Sequence, residues 1–143
     1  MNKNDDEKGQ KPLTYLDVLK KLDVLYVEDE DEIRESLSPY IKRRVANLHI
    51  AKNGIEGLEV FKKTKPHIVI TDINMPEMHG FKMADEIRAL SENTPIIFTT
   101  AHNEKQFIEK SKKLYSNSYL VKPFEYKDLD RQFKILIESH FKI

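Results

Sequence analysis

Short apolar runs and amphipathic stretches alternate five times along this chain, and that alternation restricts the fold more than any other feature. The runs are VLYV (24–27), LHIA (48–51), HIVIT (67–71), PIIFTT (95–100) and SYLV (118–121), each of strand length. Each is followed by residues, mostly apolar, that fall on one helical face. These are Ile33, Leu37, Tyr40 and Ile41; then Ile55, Leu58 and Phe61; then Phe81, Ala84, Ile87 and Leu90; then Phe107, Ile108, Ser111 and Leu114; and finally Leu129, Phe133, Leu136, Ile137 and His140. Pro39 falls inside the first of these helices and predicts a kink there. A nearly continuous apolar strand must be covered on both faces, so the alternation implies an α/β fold with a parallel sheet between two helical layers. Right-handed crossovers make the sheet doubly wound. For five strands the common order is 2-1-3-4-5, a flavodoxin-like three-layer sandwich.

Composition narrows the classes of function. At 143 residues the chain suits one domain with an ordinary core. The 24 basic and 24 acidic residues cancel, which argues against a strongly basic nucleic-acid-binding domain. The absence of cysteine excludes disulfides and thiolate metal sites and suits a reducing compartment. No apolar run reaches the roughly 18–20 residues of a membrane span. The opening MNKNDDEKGQKP has no apolar core of the kind a signal peptide needs. The expectation is a soluble, cytoplasmic protein with no membrane partner. Residues 1–12 read as a flexible polar tail. Leu13, Leu16, Leu19 and Leu22 recur at helical spacing and predict an extra N-terminal helix over 13–22, leaving 23–143 for the main domain.

In open parallel sheets, ligands bind beyond the carboxyl ends of the strands at the switch in strand order. The first strand ends in Glu28 and Asp29, the third in Asp72, the fourth in Thr99 and Thr100, and the fifth in Lys122. The second offers nothing comparable. With the order 2-1-3-4-5, these ends share one rim. Three carboxylates in one cleft repel one another and need a counter-charge or protons. A hard divalent cation held by oxygens supplies the charge, and Mg²⁺ usually takes one or two carboxylates with waters and a phosphate. Lys122 adds an ammonium and Thr100 a hydroxyl. Together they form a site for a phosphoryl group transferring to an aspartate. Each residue also has an ordinary reading. Glu28 and Asp29 suit a helix N-terminus, Asp72 a turn, Thr100 a strand, and Lys122 a solvated position before a proline. A paired-acid metal site without phosphoryl chemistry stays open as well. Four strand ends agree, and that agreement favours the site.

The stretch from about Lys21 to His140 resembles the receiver domain of two-component response regulators. VLYVEDE (24–30), TDINMPEMHG (71–80), FTTAH (98–102) and SYLVKPF (118–124) carry the resemblance, in matching order and strand context. It implies that Asp72 is the phosphoacceptor. It also implies that Glu28, Asp29 and Asp72 hold Mg²⁺ with the backbone carbonyl of Asn74, and that Thr100 and Lys122 bind the phosphoryl group. Tyr119 matches the switch aromatic. Pro123 follows a peptide bond that is often cis in the family, and Gly80 fits a position needing an unusual backbone angle. Asn74 and His102 stand where the family tunes dephosphorylation.

The resemblance further implies a signalling switch whose only catalysis is its own phosphoryl transfer and loss. The donor would be a sensor histidine kinase or a phosphotransfer protein. The surface altered on phosphorylation would be that of the helix around Phe107–Leu114, the fifth strand and the last helix, facing a downstream protein target. Residues 103–143 hold nine Lys or Arg and six Asp or Glu, which makes that end mildly basic. A homodimer through the same surface is open. The alternative is the receiver portion of a longer DNA-binding transcriptional regulator or other output protein. Within the chain, no basic stripe interleaved with aromatics points to direct nucleic-acid contact. A pseudo-receiver would have lost the acceptor, the acidic pair or the lysine, and all are present.

Overall fold

A computed structural model describes residues 13–101, 109 and 118–141. The elements run α1 (Tyr15–Leu19), β1 (Asp23–Val27), α2 (Asp31–Lys42), β2 (Asn47–Ala51), α3 (Gly54–Thr64), β3 (Ile68–Asp72), α4 (Gly80–Leu90), β4 (Ile96–Ala101), β5 (Tyr119–Lys122) and α5 (Tyr126–His140). The helix expected around Phe107–Leu114 lies outside the described residues, as does His102.

The sheet is five-stranded and its order is β2-β1-β3-β4-β5, as the alternation predicts. Every neighbouring pair is parallel, with Val24 opposite Ile68, Val69 opposite Ile96 and Phe98 opposite Tyr119. Successive side chains on a strand point to opposite faces, so each central strand feeds two cores. Val24, Tyr26, Ile68, Ile70 and Ile97 pack under α1, α2 and α5 with Leu19, Ile41, Leu129, Phe133 and Ile137. Leu25, Val27, Val69, Ile96 and Phe98 pack under α3 and α4 with Leu58, Phe61, Phe81, Met83 and Ile87. The result is the three-layer sandwich.

Several details differ from the sequence expectation. The N-terminal helix covers Tyr15–Leu19 rather than 13–22. Thr14 caps it, its side chain accepting from the Asp17 N–H while Asp17 accepts from the Thr14 N–H. At the other end the chain tightens, with Lys21 and Leu22 donating three residues back to Val18 and Leu19. Leu19 and Leu22 are buried against α5, so this segment is part of the first core. Pro39 is accommodated within α2, which continues to Lys42. Ile55 and Leu90, counted among the apolar faces of their helices, are exposed. His140 is also exposed, its ring Nδ1 lying 3.2 Å from the Leu136 carbonyl oxygen.

Candidate functional site

Parallel pairing brings the carboxyl ends of β1, β3, β4 and β5 to one rim, and the expected groups gather there. Beyond Val27 the ladder continues for one residue, with the Glu28 N–H donating to the Ala51 carbonyl at 3.1 Å. This draws Glu28 fully inside the protein. Asp72 ends β3 and is 5% exposed. Carboxylate oxygens of Glu28, Asp29 and Asp72 lie within 4.8 Å of one another. Lys122 bridges two of them: its Nζ donates to Asp72 Oδ2 at 3.0 Å and to Glu28 Oε1 at 3.2 Å. The second oxygens are held by backbone. Glu28 Oε2 accepts from the Glu30 N–H at 3.2 Å, and Asp72 Oδ1 accepts from the Asn74 N–H at 3.4 Å. Asp29 differs from both, because its Oδ1 is buried with no hydrogen-bond partner among the described residues.

One ammonium faces three carboxylates, and the energetics show the imbalance. Burial raises the Glu28 carboxyl to about 7, Asp72 adds to the rise, and Lys122 and the Glu30 N–H oppose it. Burial also raises Asp72, with Asp29 adding to the rise, against the lowering by Lys122 and the Asn74 N–H. For Lys122 burial favours the neutral amine, but attraction to Asp72 and Glu28 outweighs it and the pKa rises. The lysine is therefore held charged while the acids are short of positive charge. An orphaned buried carboxylate oxygen, amid a wholly oxygen donor set, fits a hard divalent cation. Glu28, Asp29 and Asp72 are the side chains that would hold it.

The other expected residues are distributed around this cluster. Thr100 is fully buried one residue beyond Thr99, which stands opposite Asp72 in the ladder. Thr100 Oγ1 donates to the Ala101 carbonyl at 3.3 Å. Tyr119 is half-buried on β5 opposite Phe98, packed against the second core, and Val121 is the residue opposite Thr100. Asn74 is exposed on the loop after β3. The Lys122–Pro123 peptide bond is cis.

Gly80 is a correction, since it has no positive φ; the left-handed angle in that loop belongs to Glu77, at φ 70°. Space explains the glycine instead. A Cβ at Gly80 would stand 2.3 Å from the Asp72 carbonyl oxygen and 2.9 Å from Ile73 Cα. The Gly80 N–H donates to the Ile73 carbonyl at 2.8 Å, which folds the loop back so that α4 begins against the backbone of Asp72.

The sequence profile of the response regulator receiver domain matches residues 24–134. The chain belongs to this family. Receiver domains act as signalling switches that interact with histidine kinases or phosphotransfer proteins, and they generally bind Mg²⁺ in an acidic site. The receiver is 35% identical over 107 residues to the regulatory protein AtoC of Escherichia coli, covering 75% of this chain and 23% of that protein. It is 30% identical to the transcriptional regulatory protein RprY of Bacteroides fragilis, covering 85% of this chain and 52% of the relative. The chain thus spans about half or less of the length of these curated relatives. Among solved structures, the chemotaxis response regulator CheY4 of Vibrio cholerae aligns with a TM-score of 0.73 at 27% identity, covering 81% of this chain and 98% of that one. The N-terminal domain of a Wolinella succinogenes protein aligns with a TM-score of 0.76 at 31% identity, covering 84% and 97%. Among the described residues of the receiver, no helix is long and apolar enough to cross a membrane.

Two features of this receiver escaped sequence reasoning. Arg34 is buried beside the acidic turn, where it reads at first as one more solvated charge of EDEDEIRES. The available signal was its place in the apolar stripe, three and seven residues before Leu37 and Ile41. Thr99, named with Thr100 at the end of the fourth strand, carries a buried Oγ1 with no hydrogen-bond partner among the described residues, which no sequence pattern shows.

Proposed function

We propose that this receiver accepts a phosphoryl group on Asp72, with Glu28, Asp29 and Asp72 as the side-chain ligands of Mg²⁺ and Lys122 as the phosphoryl-binding cation. The observation that carries this reading is the Asp72 carboxylate itself. It is buried, held at 3.0 Å by a charged lysine, and grouped with an Asp29 oxygen that has no hydrogen-bond partner among the described residues. Bound Mg²⁺ would offset the carboxylate repulsion and the negative charge that builds on the phosphoryl oxygens.

The protein's own part follows from its geometry. An Asp72 oxygen attacks the phosphorus of a phosphohistidine on a sensor kinase or phosphotransfer protein. The new P–O bond makes an acyl phosphate as the P–N bond breaks. The nitrogen keeps the bonding electron pair, leaving a neutral imidazole once its proton balance is restored. Lys122 lies within hydrogen-bond reach of Asp72 and can follow the charge onto the phosphoryl oxygens. Thr100 supplies a hydroxyl donor at the neighbouring strand end. Its movement toward the phosphoryl group, with Tyr119 turning inward, is the proposed route to the output surface. Asn74 and His102 are the proposed tuners of phosphoryl loss.

The test is to incubate the chain with acetyl phosphate and follow intact mass. One added phosphoryl group should appear with Mg²⁺ and should not accumulate in excess EDTA. Lys122→Ala should slow its appearance by at least ~100-fold, the lower end of what loss of a charge-stabilising donor costs. Phosphorylation independent of divalent cation would contradict the reading.

A further inference from the structure

We propose that Arg34 is a positioning residue that fixes the Glu28–Asp29 turn in the form that binds the cation. The inference rests on the cation reading above and assigns a role to a side chain outside the ligand set. Arg34 sits in the first turns of α2 and is 7% exposed. Its Nη1 donates to the Glu28 carbonyl at 2.7 Å, a buried contact. Its Nη2 pairs with the carboxylate of Asp31. Its own N–H donates to the Glu30 carbonyl at 2.9 Å, which ties the stem of the side chain to the same turn.

The consequence for the turn is specific. Glu28 has its N–H bonded to Ala51, its carbonyl bonded to Arg34, and its two carboxylate oxygens bonded to Lys122 and the Glu30 N–H. The peptide unit that the Arg34 bond grips is the one joining Glu28 to Asp29. Gripping it fixes the direction in which the Asp29 side chain leaves the backbone. Asp29 is also the residue whose buried oxygen has no hydrogen-bond partner among the described residues. A guanidinium suits this task better than an ammonium, because its planar fork serves a carbonyl and a carboxylate at fixed angles. Groups that orient metal ligands from behind typically change metal affinity by about 10- to 100-fold when removed.

The experiment is a Mg²⁺ titration of the full chain followed by amide NMR signals, with the metal-free melting temperature measured alongside. Arg34→Met keeps most of the stem and removes both donors. It should raise the Mg²⁺ dissociation constant by about 10-fold or more. Arg34→Lys keeps the charge but loses the fork, and should fall between Arg34→Met and wild type. Ile41→Val, on the same helix but away from the turn, should lower the melting temperature slightly and leave the dissociation constant unchanged. A purely structural role for Arg34 would move the melting temperature alone. A dissociation constant within twofold of wild type in Arg34→Met would overturn the inference; if that variant does not fold, the same result in Arg34→Lys would do so. Absence of saturable binding in wild type is a different outcome: it contradicts the cation reading, and the inference falls with it.

Discussion

Glu28 concentrates the cost of this site in one carboxyl group. It is fully buried, and burial followed by the nearby Asp72 pushes its pKa from 4.5 to about 7. The folded chain therefore keeps a proton that the unfolded chain has already released across that window. Where the folded state binds more protons, stability falls as pH rises. In chelator-containing buffer, the contribution of Glu28 is fully present below pH 4.5 and is lost as pH rises through about 7. Glu28→Gln cannot ionise, so its melting temperature should decline less than that of wild type between those limits. Identical pH profiles for the two proteins would refute the assignment. That Glu28, Asp29, Asp72 and Lys122 come together was legible in the sequence because strand ends are legible and ligands of open sheets bind there. Gly80 was only half legible. Its identity marks a constraint, but the constraint is the Asp72 carbonyl approaching from another element, and no local pattern encodes that distance. Arg34 was missed because a charge in an acidic segment reads as solvated until the fold turns it inward.

Helices α2 and α5 meet through a polar and aromatic cluster on the side of the first core. Tyr40 donates its hydroxyl to Asp130 at 2.5 Å, and Arg44 Nε donates to the other carboxylate oxygen at 3.2 Å. The guanidinium of Arg44 also lies 3.7 Å over the Tyr40 ring, which stacks on Tyr126 with centroids 3.9 Å apart. Burial and the Asp130 contact push the Tyr40 hydroxyl up to about 12, so it stays a donor. Asp130→Ala would leave both donors without their shared acceptor. The expected loss is about 1–3 kcal/mol, read as a lower urea midpoint at unchanged slope. A change within about 0.5 kcal/mol, the range of ordinary surface substitutions, would show that the cluster does not hold the helices. Nothing in the sequence pairs Tyr40 with a residue ninety positions away. The strands, by contrast, were legible to within a residue or two, because β-branched runs between turn signals define them locally. The N-terminal helix was read as longer than it is, since leucine spacing continues past Leu19 while the backbone tightens into a turn. Leu19 and Leu22 keep their place in the core in either conformation, which is why the periodicity misled only about length.

The sheet order is where local pattern becomes function. Alternation sets a parallel sheet, handedness limits its winding, and the order β2-β1-β3-β4-β5 leaves β2 at one edge. The four strands with reactive ends then lie side by side, so residues from 28 to 122 form one site. The chain is 30% identical to one of its curated relatives, and on the proposed reading the strand-end residues would carry the chemistry while the cores need only remain apolar. If Asp72 takes the phosphoryl group, locating that group along the chain will show it. Wild type and Asp72→Asn should be loaded with acetyl phosphate and Mg²⁺, digested under conditions that preserve acyl phosphates, and mapped by mass spectrometry. A single phosphoryl group is expected on the wild-type peptide containing Asp72 and none on Asp72→Asn. A phosphoryl group on any other residue of wild type, or equal loading of Asp72→Asn, would contradict it.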